Sequence, residues 1–144
     1  AITGEPPKYS RQHFLMLQLP HTYRRLIAGG ITDDFSMGFA EAPGFRAGMA
    51  HPFPWYDLEQ EAVQPLMVHP FAAMDVTLKQ YMGLSPKEGL EKLRQLSDTV
   101  KAVGGEFCIL WHNSSFSPQH GWAGWREVFE KILSFAPESN RYGT

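Results

Sequence analysis

Ser85-Pro86-Lys87-Glu88-Gly89-Leu90 opens the stretch that decides the fold of this 144-residue chain, and it runs on through Glu106-Phe107-Cys108-Ile109-Leu110-Trp111 to Trp122 and Leu133. Serine followed three positions later by glutamate is a capping box, and proline at the first helical position gives up a donor the helix does not need. Leu90, Leu93, Leu96, Val100 and Val103 then recur every three or four residues, which predicts a helix from about Pro86 with one apolar face. Gly104-Gly105 stops it. Glu106 to Trp111 is a nearly continuous apolar run of strand length and reads as a strand buried on both faces. Trp122, Trp125, Phe129, Ile132 and Leu133 mark the inner face of a last helix ending near Pro137. Helix, buried strand, helix is the rhythm of parallel α/β architecture, so the fold class is α/β.

Working outward, the first half is less regular. Tyr9 to Leu15 reads as a strand ending in a functional loop, and Pro20 to Gly30 as a short helix, with Thr22 capping its start and Gly29-Gly30 its end. Ile31 to Met37 follows as a strand. From Gly38 to Pro70 the chain holds Pro43, Pro52, Pro54, Pro65 and Pro70, so short strands in long loops are expected. Val63 to Val68 is the best strand there, demoted toward an edge by Pro65.

Composition limits what such a domain can do. Apolar residues make up 43% and charged residues 19%, so part of the surface should be mildly apolar or covered by something else. A formal net charge of −2, with no long basic run, lacks the footprint of a nucleic-acid or anionic-membrane binder. The apolar runs are too short to span a bilayer, and no signal segment is visible at the start. The single cysteine, Cys108, excludes an internal disulfide and leans weakly toward a reducing, cytoplasmic setting.

In parallel α/β proteins ligands bind beyond the carboxyl ends of the strands, so the polar residues there come first. His112 and Asn113 follow the buried strand; the histidine can serve as general acid or base, or simply bond a loop carbonyl. Arg11 offers a rigid fork that can orient a carboxylate, while His13 can be a metal ligand or a packing residue. Asp33 and Asp34 point in opposite directions if they lie in a strand, and a turn is favoured for at least one of them. Arg46, inside Gly44-Phe45-Arg46-Ala47-Gly48, is placed to contact an anion or carboxylate. Asp75 reads first as the N-cap of a short helix over Val76 to Met82. Phe53, Trp55, Tyr56, Trp122 and Trp125 can stack on sugar rings, the last two being better core candidates. A histidine nuclease lacks its basic surface here, and Ser114, Ser115 and Ser117 lack the flanking glycines of a nucleophile elbow.

The order of these pieces resembles the polysaccharide deacetylase superfamily. Gly4-Glu5-Pro6-Pro7 leading to Arg11 is similar to its third motif, and Ile109-Leu110-Trp111-His112-Asn113 to its fifth. More narrowly, Ser10-Arg11-Gln12-His13-Phe14, Gly44-Phe45-Arg46-Ala47-Gly48 and Leu110-Trp111-His112-Asn113 resemble a divergent branch, over essentially the whole chain. The resemblance implies part of a distorted (β/α) barrel with helices outside, and hydrolysis of an N-acetyl group from a sugar. It implies a divalent metal, zinc above all, held by an aspartate and two histidines. Arg11 would orient the catalytic base, His112 would protonate the leaving amine, and Asp75 would stand at the fourth motif. Arg46, Trp55 and Asn113 are the expected substrate contacts, and His13 the one residue offered to a metal.

The motifs with the paired aspartates and metal histidines would precede Arg11, where only ten residues stand, and no His-x-x-x-His occurs. The chain therefore reads as the C-terminal part of such a domain, not expected to hold zinc tightly alone. Its expected partners are a carbohydrate, with the N-terminal half of the barrel or a second copy covering the open edge. A noncatalytic carbohydrate-binding or assembly module on a decayed scaffold is the alternative. The family reading requires Tyr9 to Gln12 and Glu106 to Trp111 to be parallel in one sheet, with Arg11 and His112 converging on one cleft.

Overall fold

Two short ladders of parallel strands, meeting at Pro70, organise residues 4–135, which are those the computed structural model describes. In chain order the strands are β1 (Tyr9–Ser10), β2 (Asp33–Asp34), β3 (Phe53–Asp57), β4 (Ala62–Val68), β5 (Ala73–Met74) and β6 (Ile109–Leu110). The helices are α1 (His21–Ala28), α2 (Pro86–Ala102) and α3 (Trp125–Leu133). The first ladder runs β1-β2-β4-β3, parallel except for β3; the second pairs β5 with β6 in parallel. The class is α/β, and among the described residues the ladders do not close into a barrel. Ile2, Thr3 and the helix end expected near Pro137 lie outside the described residues.

The requirement of one sheet holding both β1 and β6 is not met. Proline has no N–H to give, and Pro70 interrupts the ladder between Val68 and Ala73. Two backbone bonds still bridge the gap: Phe71 N–H donates to Met37 O at 3.1 Å, and Ala72 N–H to Cys108 O at 2.8 Å. The strand expected over Glu106 to Trp111 shrinks to Ile109–Leu110, and Phe107 to Trp111 are half-buried rather than covered on both faces.

Other expectations also change. Pro65 sits on β4, an inner strand rather than an edge. The strand tolerates it because the β3–β4 register shifts between Pro54 and Tyr56, beside the proline, and β2 pairs only with Met67 and Val68. Asp33 and Asp34 both belong to β2, not to a turn. Thr22 does not cap α1; its Oγ1 instead accepts the Gln18 N–H at 2.9 Å. At the other end Gly30, at φ 80°, donates to Ile27 O while Ile31 N–H returns to Leu26 O, closing the helix as a Schellman turn. The capping box holds as read: Ser85 and Glu88 bond each other's backbone N–H at 2.8 and 3.4 Å. Val103 and Leu133 are more than half exposed, being the outermost positions of their apolar stripes.

Two cores result. Tyr23 of α1 packs edge-on against Trp55 at 5.3 Å, with Met37, Leu66 and Val68, covering one face of the first ladder. Ala73, Leu78, Leu93, Trp122, Trp125, Val128 and Ile132 join the second ladder to α2 and α3. The opposite face of the first ladder, where the paired positions Tyr9, Asp33 and Met67 point, is open: Tyr9 is 70% exposed and Met67 36%.

Where the ladders meet, Gly38 lies flat on the fully buried ring of Phe71, and a Cβ there would stand 2.3 Å from that ring. Gly38→Ala should therefore destabilise the protein by about 1–3 kcal/mol, the cost of overpacking a closed core. A urea midpoint equal to that of the unmodified protein would show that Phe71 has room to yield.

Candidate active site

Asp75 leaves β5 fully buried, at the carboxyl end of a parallel strand beside β6. An ionised carboxylate only accepts hydrogen bonds and offers about four lone-pair positions. Four donors fill them. His112 N–H reaches Oδ2 at 2.8 Å and the Ser115 hydroxyl donates to the same oxygen. His112 Nδ1 meets Oδ1 at 2.6 Å, and Val76 N–H donates to it at 2.8 Å. Asp75 is therefore not an N-cap: the π-helical turn Thr77–Tyr81 starts from Val76 without a side-chain cap, and of the four Asp75 contacts only that to the adjacent Val76 N–H is local.

With Asp75 as acceptor, Nδ1 carries the proton on that side of the His112 ring, and Nε2 is left to exchange a proton with solvent or a ligand. The His112 side chain is 43% exposed, so Nε2 is accessible. Ser115 is buried and bonded to the carboxylate rather than to the imidazole, which is the wrong order for a serine nucleophile. Burial pushes the Cys108 thiol up, against the lowering field of Arg11, so it is no thiolate nucleophile at neutral pH.

His69 makes the instructive contrast. It too follows a strand, β4, but both its nitrogens face carboxylates, Nε2 at 2.8 Å from Asp33 and Nδ1 at 3.6 Å from Glu106. Its ring stacks on Phe35 at 4.4 Å. Only Nε2 is hydrogen-bonded, Nδ1 lying beyond that distance from Glu106, and the side chain is 18% exposed against 43% for His112, so His69 serves mainly to link the ladders. The Thr32 hydroxyl, with His69 second, holds the Asp33 carboxyl below its usual range. Sequence reading passed over His69 and Ser115 as contributors, although His69 carries the same signal as His112, a polar residue just past a strand.

The remaining candidates are dispersed. Arg11 is exposed; its Nε donates to Phe35 O at 3.2 Å and its guanidinium lies 5.9 Å from the Phe35 ring centre. Among the described residues no hydrogen bond or ion pair joins Arg11 to Asp75 or His112; its charge acts instead on the Cys108 thiol, just before β6. Asn113 is exposed and its Oδ1 accepts the Ser114 N–H at 2.9 Å. Trp55 is buried against Tyr23 and offers no stacking face, which corrects its reading as a substrate contact. Arg46 is exposed on a loop tied to β5 by Gly44 N–H to Ala72 O at 2.7 Å. His13 is exposed with its ring 4.1 Å from that of Phe14. Among the described residues no group of three or more His, Cys, Asp or Glu side chains is placed to hold a metal ion. The described residues therefore offer no ligand set for the divalent metal that the family resemblance implies. No helix among the described residues is long and apolar enough to cross a membrane.

No protein-family model, curated protein or solved structure matches this chain.

Two outcomes are expected from this geometry. Asp75→Asn should move neutral His112 toward the tautomer protonated on Nε2, read from imidazole nitrogen shifts by NMR; an unchanged tautomer ratio would remove Asp75 as the orienting group. Asp33, whose carboxyl is depressed in the folded protein, adds stability that is full above the unfolded carboxylate range and is lost as pH falls through the folded value. Asp33→Asn should flatten that part of the acid limb in denaturation curves between about pH 5 and 2.

Proposed function

We propose that this chain supplies the general-acid side of a carbohydrate deacetylase, which hydrolyses the N-acetyl amide of a sugar. The observation that carries the reading is the Asp75–His112 pair: a buried carboxylate on Nδ1 with Nε2 accessible. Hydrolysis of an amide needs water to add to the carbonyl carbon, and the C–N bond then breaks with a proton delivered to the departing amine. His112 Nε2 is built for that delivery, and Asp75 stabilises the imidazolium between proton transfers. The position of the pair, past the carboxyl ends of adjacent parallel strands, is where such folds carry chemistry.

Because β1 and β6 lie in separate ladders, the arrangement the family resemblance requires is absent, and the reading rests on the Asp75–His112 pair alone, without Arg11 or a closed barrel. Among the described residues no ligand set is placed to activate the water, so the reading is confined to proton delivery by His112. An N-terminal half of the barrel, or a second copy, would pair along the open edge of β1.

The test is to produce the chain together with the polypeptide encoded upstream of Ala1 and to assay acetate release from N-acetylated oligosaccharides, with co-elution recorded. His112→Ala should lower acetate release by about a hundredfold to ten-thousandfold, the usual contribution of a positioned acid. An assembled protein that releases no acetate, or a His112→Ala variant of full activity, would overturn the assignment.

A further inference from the structure

Arg46 is the residue that the Asp75–His112 chemistry leaves unused. It is exposed, and among the described residues it makes neither a hydrogen bond nor an ion pair. By contrast Arg24 pairs with Asp57, and Arg126 with Glu130. Arg46 forms one wall of an open depression whose other wall is Phe14 to Gln18, with Thr22 at its side.

The opposing wall is costly to build. Phe14 and Leu15 are consecutive non-glycine residues in the left-handed region, each at φ 54°. That conformation is unfavourable for side chains of this size and persists only where the surroundings impose it, commonly at ligand sites. Here it turns Phe14 outward, 80% exposed, with Met16 also exposed. The depression therefore combines an apolar aromatic surface, an amide from Gln18, a hydroxyl from Thr22 and the Arg46 guanidinium, whose charge also reaches the Tyr23 hydroxyl. Its two walls are the loops following β1 and β2, strands parallel to each other. The Arg46 loop is tied to the start of β5, the strand that delivers Asp75, and Thr77, just past Asp75, donates from its hydroxyl to Ala40 O at 2.6 Å.

We propose that this depression is a subsite for an acidic sugar residue, its ring face on Phe14 and its carboxylate on the Arg46 guanidinium. A guanidinium presents parallel donors that match a carboxylate, and sugars bring one apolar face to aromatic rings. The inference rests on the carbohydrate reading above and narrows it to polymers that carry an acidic sugar as well as an N-acetylated one.

The experiment is an NMR titration of the nitrogen-15-labelled chain with a tetrasaccharide of alternating glucuronate and N-acetylglucosamine. An N-acetylglucosamine tetramer and sodium sulfate serve as comparison ligands. The acidic oligosaccharide should shift the amides of Leu15 to Gln18 and Thr22 and the Arg46 Nε–H, and Arg46→Gln should weaken it about tenfold or more. Arg46→Lys should fall between. Equal binding of the neutral tetramer, or unchanged binding by Arg46→Gln, would overturn the subsite; sulfate reproducing the same shifts at the same concentration would overturn the sugar assignment. Acetate is not read, so binding at these residues without hydrolysis would leave the subsite standing while the deacetylase reading fell.

Discussion

The Asp75 carboxylate holds the second half of this protein together. It sits at the end of a strand only two residues long and gathers the backbone N–H and ring of His112, the hydroxyl of Ser115 and the amide of Val76. A two-residue ladder offers little cooperativity of its own, so the carboxylate does what a longer sheet would do: it pins the loop after β6 to the end of β5. A buried carboxylate without partners would be severely penalised, and the satisfaction of both oxygens is what permits Asp75 to be buried at all. Position and chemistry coincide, because the same bonds that anchor the loop set the orientation of the imidazole.

A parallel arrangement organises the first ladder. Asp34 is fully buried and accepts from the Tyr23 hydroxyl at 3.2 Å and from both the N–H and the hydroxyl of Ser36. Burial, and beside it this carboxylate, push the Tyr23 phenol well above its usual range, so it remains a donor at any physiological pH. The Ser36 hydroxyl accepts the Gln12 N–H in turn, at 2.8 Å, which carries the order from α1 through β2 to the segment after β1. Each ladder thus has a buried aspartate at the carboxyl end of a parallel strand, Asp34 in the first and Asp75 in the second. Only the second has an accessible histidine on it.

The break at Pro70 explains why two such centres exist. A continuous sheet would have extended the β4 ladder directly toward β6; without the proline N–H the strand bends, and only Phe71 and Ala72 carry bonds across. Between the halves the packing is tight, with Gly38 on Phe71 and Gly105 on Ala50, where a Cβ on the glycine would stand 2.7 Å from the alanine side chain. His69 adds a polar link at the same seam through Asp33 and Glu106. The two halves are held by close contact at small residues rather than by a long ladder.

The local code was legible from sequence where spacing and capping dictate the outcome. Ser85 and Glu88 start α2, leucines at helical spacing turn Leu93 and Val100 inward, and Trp125 and Ile132 do the same for α3. The α/β class follows from that rhythm, and His112 stood out because it follows an apolar run. What needed the fold was every relation between distant residues. Position in the chain does not reveal that Asp75 and His112 share a proton, that Ser115 joins them, or that Trp55 faces α1 rather than solvent. Nor does it separate His69 from His112, since each follows a strand. Whether a ring nitrogen is free depends on which carboxylates the other strands bring to it, and that is decided only when the ladders assemble.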